Sequence, residues 1–156
     1  MSSPRGLANH HLYLARLVLA AWQRDSSAGV VPASTLAAAF GSGCHQHLLR
    51  AYGWFLLAVS APGELPAAPP TRVADLAPPP EGKAVAGEIR EFEQLERSGW
   101  LADMLGWECP APGATRRSPG NLASTVEQAT GPGEFAGWVD SLESRFARMA
   151  DSMDEY

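Results

Sequence analysis

The sequence predicts an all-α protein, a four-helix bundle with long Pro/Gly-rich connections, on three observations. Apolar residues recur at threes and fours in four separate stretches, the repeat of one helix face. No stretch alternates apolar and polar residues with the period of two that marks a strand. Prolines and glycines collect in two connections, a crossover over residues 61–82 and a loop over 108–133. At 156 residues the chain fits one domain, 1–156, in which folding can bury roughly 70% of the extended surface.

Met1–Gly6 reads as a tail and Leu7–Asp25 as the first helix. Leu12, Ala15, Leu19 and Trp22 mark its inner face, with Leu14, Val18 and Ala21 beside them, while Arg16, Gln23 and Arg24 point outward. Asn9 is its cap in a late start. Ser26–Ala33, carrying Gly29 and Pro32, has the length that joins antiparallel helices, so the first two helices form a hairpin. The second helix, Ser34–Ser60, is the most apolar stretch of the chain. Leu36, Phe40, Cys44, Leu48, Ala51, Phe55 and Val59 share one face, which Leu49, Tyr52 and Leu56 widen. Ser34 or Thr35 caps its start and Pro62 forbids continuation. At about 1.5 Å per residue it runs roughly 39 Å. Gly41-Ser42-Gly43 should kink or break it, since each Gly costs about 1 kcal/mol relative to Ala. Beyond Arg50 it is apolar nearly all round, because Trp54 and Leu57 fall on the face of Ser42, Gln46 and Arg50. Neighbours or a partner must enclose it.

Pro62, Pro66, Pro69, Pro70, Pro78, Pro79 and Pro80 hold residues 61–82 in extended chain around a short turn at Val73–Leu76. An SH3-type ligand would need flanking basic residues that this segment lacks, so a crossover along the bundle is the better reading. Glu81–Ser98 is the third helix, with Val85, Ile89, Phe92 and Leu95 inward. Gly99 interrupts it, and Trp100, Leu101, Met104, Leu105 and Trp107 form a short apolar continuation. Glu88, Glu91, Glu93 and Glu96, interspersed with Arg90 and Arg97, read as a solvated face rather than a cation site. The loop 108–133 carries Arg116-Arg117 and one turn of helix at Leu122–Ala129. After Gly131-Pro132-Gly133 the last helix runs to the C-terminus on Phe135, Trp138, Val139, Leu142, Phe146, Met149 and Met153, with Asp140, Glu143, Arg145 and Arg148 opposite.

Composition narrows the function. Apolar content of 46% is that of a globular chain, and a net charge of −5 argues against a general nucleic-acid binder. Charge is segregated: residues 1–60 hold Arg5, Arg16, Arg24 and Arg50 against Asp25, while residues 61–156 hold 8 basic and 16 acidic residues. The halves should therefore attract each other within one fold, the alternative being a basic face for an anionic partner. Two cysteines, Cys44 and Cys109, are too few for a disulfide framework. No secretory signal is recognisable, and His45, Gln46, His47 and Arg50 interrupt the best candidate for a membrane span. A cytoplasmic protein with free thiols is expected, with Cys44 buried on the apolar stripe.

The run from Asn9 to Trp22, NHHLYLARLVLAAW, resembles the N-x-x-L-Y-x-A-x-L-x-L-x-A-W opening of a family of small helical proteins of pseudomonads and related gammaproteobacteria. His47-Leu48 with Ala51-Tyr52, and Trp138–Leu142 with Arg145-Phe146 and the terminal Glu155-Tyr156, extend the resemblance to about half of the chain. The family's spacing between its Trp and its Arg-Phe is slightly longer, and its Pro-rich middle varies. The resemblance implies a bacterial helical domain of unknown function and carries over no catalytic residue.

Zinc could be held by residues of the right type, His10, His11, Cys44 and His47, but Cys44 and His47 share a face while His45 points about 100° away. One helix supplies two ligands at most. Arg5 with His10 or His11 matches the loose R-x4-6-H pattern of the helical HEPN ribonucleases, although Arg5 falls in the tail. No Gly-rich phosphate loop, nucleophile elbow or paired Glu-x-x-His is present. The favoured reading is thus a non-enzymatic interaction module, binding a protein partner or a second copy through Arg50, Trp54 and Leu57, with no cofactor and no membrane. The rival is a metal- or RNA-dependent enzyme built on the histidines, and a small-molecule cavity between helices is compatible with either.

Overall fold

The computed structural model describes residues 3–79, 81–82, 84–110 and 131–154. Among them every regular element is a helix: α1 (Pro4–Ala28), α2 (Ala33–Leu36), α3 (Ser42–Ser60), α4 (Gly87–Arg97), α5 (Trp100–Gly106) and α6 (Pro132–Asp154). The turn of helix expected at Leu122–Ala129, with Arg116-Arg117, lies outside the described residues, as do the side chain of Met153 and the terminal Glu155-Tyr156.

α1 starts three residues earlier than its apolar repeat suggests. Pro4 occupies the first turn, where its missing N–H costs nothing, and the Ser3 hydroxyl accepts from the Gly6 amide at 3.0 Å. Arg5 therefore belongs to the helix rather than to a tail. The other end runs three residues past Asp25 to Ala28 and is closed by Gly29 at φ +68. The inner face is as expected, with Ala8, Leu12, Ala15, Leu19 and Trp22 buried.

The segment Ala33–Ser60 is helical throughout, so the break expected at Gly41–Gly43 does not occur. Gly41 and Ser42 keep right-handed helical dihedrals, and the distortion is a π-helical turn, Ala37–Gly41, that ends on Gly41 itself. Gly41 is needed for contact: a Cβ there would lie 3.0 Å from Trp107 and 3.6 Å from Trp22. Two indoles close on the helix backbone at this level. Farther on, Gly53 is roofed by the crossover, where a Cβ would meet the Pro70 carbonyl oxygen at 2.1 Å and Pro69 Cβ at 2.9 Å. The crossover thus lies directly on α3, with a single 3-10 turn at Val73–Asp75.

α4 begins at Gly87, six residues after the expected start. Gly82 takes φ +87, and Val85 is 38% exposed instead of facing the core. Gly99, at φ +140, separates α4 from α5, and α6 begins at Pro132 itself. Buried residues of α1, α3, α4, α5 and α6 form one apolar cluster, in which α1 and α3 make the most extensive helix pair. Phe55 stacks on Phe146 at 3.9 Å and meets the edge of Phe92, while Phe135 packs among Trp22, Trp107 and Trp138.

The acidic face of α4 is not simply solvated. Glu91 pairs with Arg145 and with Arg148 of α6, the latter at 2.7 Å, and Glu96 accepts from Tyr52 Oη at 2.5 Å and from the Val73 amide at 2.8 Å. One carboxylate joins α4 to α6; the other joins it to α3 and the crossover. On the opposite side Arg16 of α1 pairs with Glu143 and lies 3.7 Å from Asp140. The attraction expected between the basic and acidic parts of the chain is therefore realised at Arg16.

Two consequences are measurable. Replacing Gly53 by Ala should lower stability by about 1–3 kcal/mol, because the crossover backbone must move. Gly43→Ala, whose Cβ meets nothing, should raise it by up to about 1 kcal/mol in the same urea titration. Glu91 is held below its ordinary value of 4.5 by the Arg148 hydrogen bond, with the Arg145 and Arg148 charges adding to it against desolvation. Its contribution is present above the unfolded value and lost as pH falls through the folded one. Denaturation midpoints measured across an acid series should fall less steeply below pH 4.5 in Glu91→Gln than in the parent chain.

Candidate functional site

The antiparallel hairpin of α1 and α3 brings the chemically suggestive residues to one seam, but it does not converge them on one point. Their fates are set by register. Cys44, at the centre of the seam, is buried, and its thiol donates to the Ala15 carbonyl at 3.6 Å. Burial raises its pKa to about 12, so the thiolate is not available as a metal ligand or nucleophile.

His45, one residue on, turns toward α5. Its Nε2–H donates to the Met104 carbonyl at 2.6 Å, which assigns the tautomer, and its ring packs 5.0 Å from that of Trp107. Burial lowers its pKa, and the Met104 hydrogen bond opposes that shift. This histidine is a core residue fastening α5 to α3. A sequence signal for it exists: His45, Leu49, Tyr52 and Leu56 share the spacing of the widened stripe.

His47 returns to the α1 side and meets His11. Their Nδ1 atoms are 3.2 Å apart and the rings stack with centroids 5.5 Å apart at 28°. His10 presents an edge to His11 at a centroid distance of 5.8 Å. Both members of the pair have lowered pKa values. Burial is the main cause; after it come, for His11, the charges of His47, Arg50 and His10, and for His47 those of Arg50 and His10. The pair is therefore neutral at pH 7, one Nδ1–H donating to the other Nδ1. Among the described residues no group of three or more His, Cys, Asp or Glu side chains is placed to hold a metal ion.

Arg5 does not join these histidines. It lines a separate cavity of about 430 Å³ between α1 and α6, with Asn9, Leu12, Phe55 and Phe146, whereas His11 faces α3. Among the described residues the cavity that Arg5 lines and the His11/His47 seam are separate. A second cavity, of about 330 Å³, lies along α6 beside Trp100 and is lined by Ser141, Ser144, Arg145 and Arg148. Of the residues expected at an interface, Arg50 is exposed, Trp54 half-buried and Leu57 only 4% exposed. Leu57 thus already lies inside the fold.

A further surface feature was not legible as such in the sequence. Tyr13 and Leu17, one turn apart on the outer side of α1, are 58% and 51% exposed. In the apolar repeat they are indistinguishable from core-flanking residues, because that whole stretch is rich in apolar side chains. No helix of the described residues is long and apolar enough to cross a membrane.

The thiols should separate cleanly. In the native chain a disulfide reagent at pH 8 is expected to label exposed Cys109 rapidly and Cys44 only on unfolding, read by mass spectrometry of the modified peptides. Comparison with family models, with curated proteins and with solved structures yields no match, so the functional reading rests on the geometry of this chain.

Proposed function

We propose that the protein is a non-enzymatic interaction module, a four-helix bundle of α1, α3, α4 and α6 that presents the outer side of the α1/α3 hairpin to an acidic protein partner. The observation that carries the reading is the surface composition of that hairpin. Tyr13 and Leu17 stand out from α1 as large apolar groups, Tyr13 at the rim of the α1/α6 cavity, and α3 offers half-buried Trp54 and exposed Arg50. Aromatic residues and arginine are the types that dominate the centres of protein interfaces.

Charge selects the kind of partner. From Ala33 to Ser60 there is no acidic residue, and α1 contains only Asp25. Arg16 is neutralised by α6, but Arg24 and Arg50 have no ion pair among the described residues. Such a face complements an acidic, amphipathic segment. An isologous dimer through this face would set two surfaces poor in carboxylates against each other and leave Arg50 with no acidic partner. The resemblance of the Asn9–Trp22 run to a bacterial helical family accords with a small helical module and assigns it no reaction.

The test compares the parent chain with Arg50→Glu and with a Tyr13→Ser/Leu17→Ser double variant, each first checked for an unchanged melting temperature. A partner captured from the native cell should carry an acidic segment, bind less tightly as salt rises, and be lost from both variants. Retention by both variants would refute the assigned face. Light scattering that showed a dimer dispersed by these changes would reassign it to self-association.

A further inference from the structure

The His11/His47 pair has a spacing that serves a second purpose besides a hydrogen bond. Two nitrogens bound at about 2.0–2.1 Å to one tetrahedral ion sit about 3.3 Å apart. The Nδ1 atoms of His11 and His47 are 3.2 Å apart without any rearrangement of helices. From this geometry we infer that His11 and His47 form a two-imidazole site for a borderline divalent ion of the zinc, cobalt, nickel or copper class, clipping α1 to α3.

The surroundings define what the site accepts. Both rings are half-buried at the edge of the seam, so an ion can reach them from solvent. Ligation by both Nδ1 atoms moves the proton they share to Nε2, with no net proton release. Imidazole without carboxylate suits the borderline ions and offers little to Mg²⁺ or Ca²⁺. Cys44 and His45 stay out: the thiol is turned to the Ala15 carbonyl and the imidazole to that of Met104. With no third protein donor among the described residues, water fills the remaining positions and the bound ion is exchangeable. Arg50, whose charge is felt at both rings, weakens the site.

The experiment is calorimetric titration of the full chain with Zn²⁺, Co²⁺ and Mg²⁺, alongside melting temperatures with and without each ion. One saturable Zn²⁺ or Co²⁺ site is expected, with a rise in Tm and no response to Mg²⁺. His11→Gln and His47→Gln should each weaken binding at least tenfold, Cys44→Ser should leave it unchanged, and Arg50→Gln should tighten it. Nitrogen chemical shifts of the imidazoles give a readout independent of any variant's folding, since Zn²⁺ should place the proton of both rings on Nε2. Overturning results would be no saturable binding, binding indifferent to His47, or imidazole shifts that move only at His10. Dependence on His47 separates the clip from a surface site on α1 alone.

Discussion

Burial of α3 on almost its whole circumference is the constraint from which the other elements follow. Cys44, Leu48, Ala51 and Phe55 face one way, while His45, Tyr52 and Leu56 face another, and Gly53 and Leu57 are buried as well. A helix so apolar cannot leave a long side in water, and each direction therefore needs a covering element. α1 covers the Cys44 side, α4 and α5 take the Tyr52 and His45 side, and the proline-rich crossover closes over Gly53. That last contact explains a residue that propensity alone disfavours. Glycine in a helix interior costs about 1 kcal/mol, but any side chain at position 53 would enter the Pro70 carbonyl.

Polar side chains then determine how the covering elements are registered. Three buried polar groups on α3 find partners on three different elements: the Cys44 thiol on α1, the His45 imidazole on α5, the Tyr52 hydroxyl on α4. Sliding α5 by a turn would strand the His45 nitrogen away from the Met104 carbonyl, at the desolvation cost of an unmade buried hydrogen bond, about 1–3 kcal/mol. Apolar contact holds the elements together with little preference for register; these three bonds distinguish one register from its neighbours. Among the described residues no buried side-chain nitrogen or oxygen lacks a partner, as that account requires.

What was legible in the sequence follows from the range of each interaction. The inner faces of α1, α3 and α6 appear as three-and-four spacing because a helix face is a local property of the chain, and Gly99 marks its break because φ +140 is a local demand. The start of α4 was misplaced by six residues because Val85 continues the apolar spacing, while Gly82 and Gly87 oppose helix there. The unbroken path through Gly41–Gly43 could not be read locally. What glycine does at position 41 is set by the Trp107 indole, 66 residues on, which packs where a Cβ would be. Glu91 and Glu96 looked alike in the acidic run, and only the placement of α6 and the crossover makes them cross-links. Of the candidate site, the residue types were visible, but which histidine faces which helix depended on pairing α1 with α3.

The segregation of charge along the chain has a consequence for the surface that is left. Had the excess positive charge of residues 1–60 been wholly consumed by the acidic remainder, the hairpin would be a neutral outer wall. Instead the internal pairing is selective. Arg16 is matched with Glu143 and Asp140, and Glu91 is satisfied by Arg145 and Arg148 from its own acidic half. Pairing Glu91 within that half leaves one carboxylate fewer to reach α1 or α3. Arg50 thus stays exposed beside Trp54, and its charge reaches the His11 and His47 rings. A single arginine at the surface is ordinary. Arg50 one helical turn from Trp54 on α3, with Tyr13 and Leu17 exposed on α1, leaves both charge and apolar area at the surface because the internal pairing has taken the nearby carboxylates elsewhere.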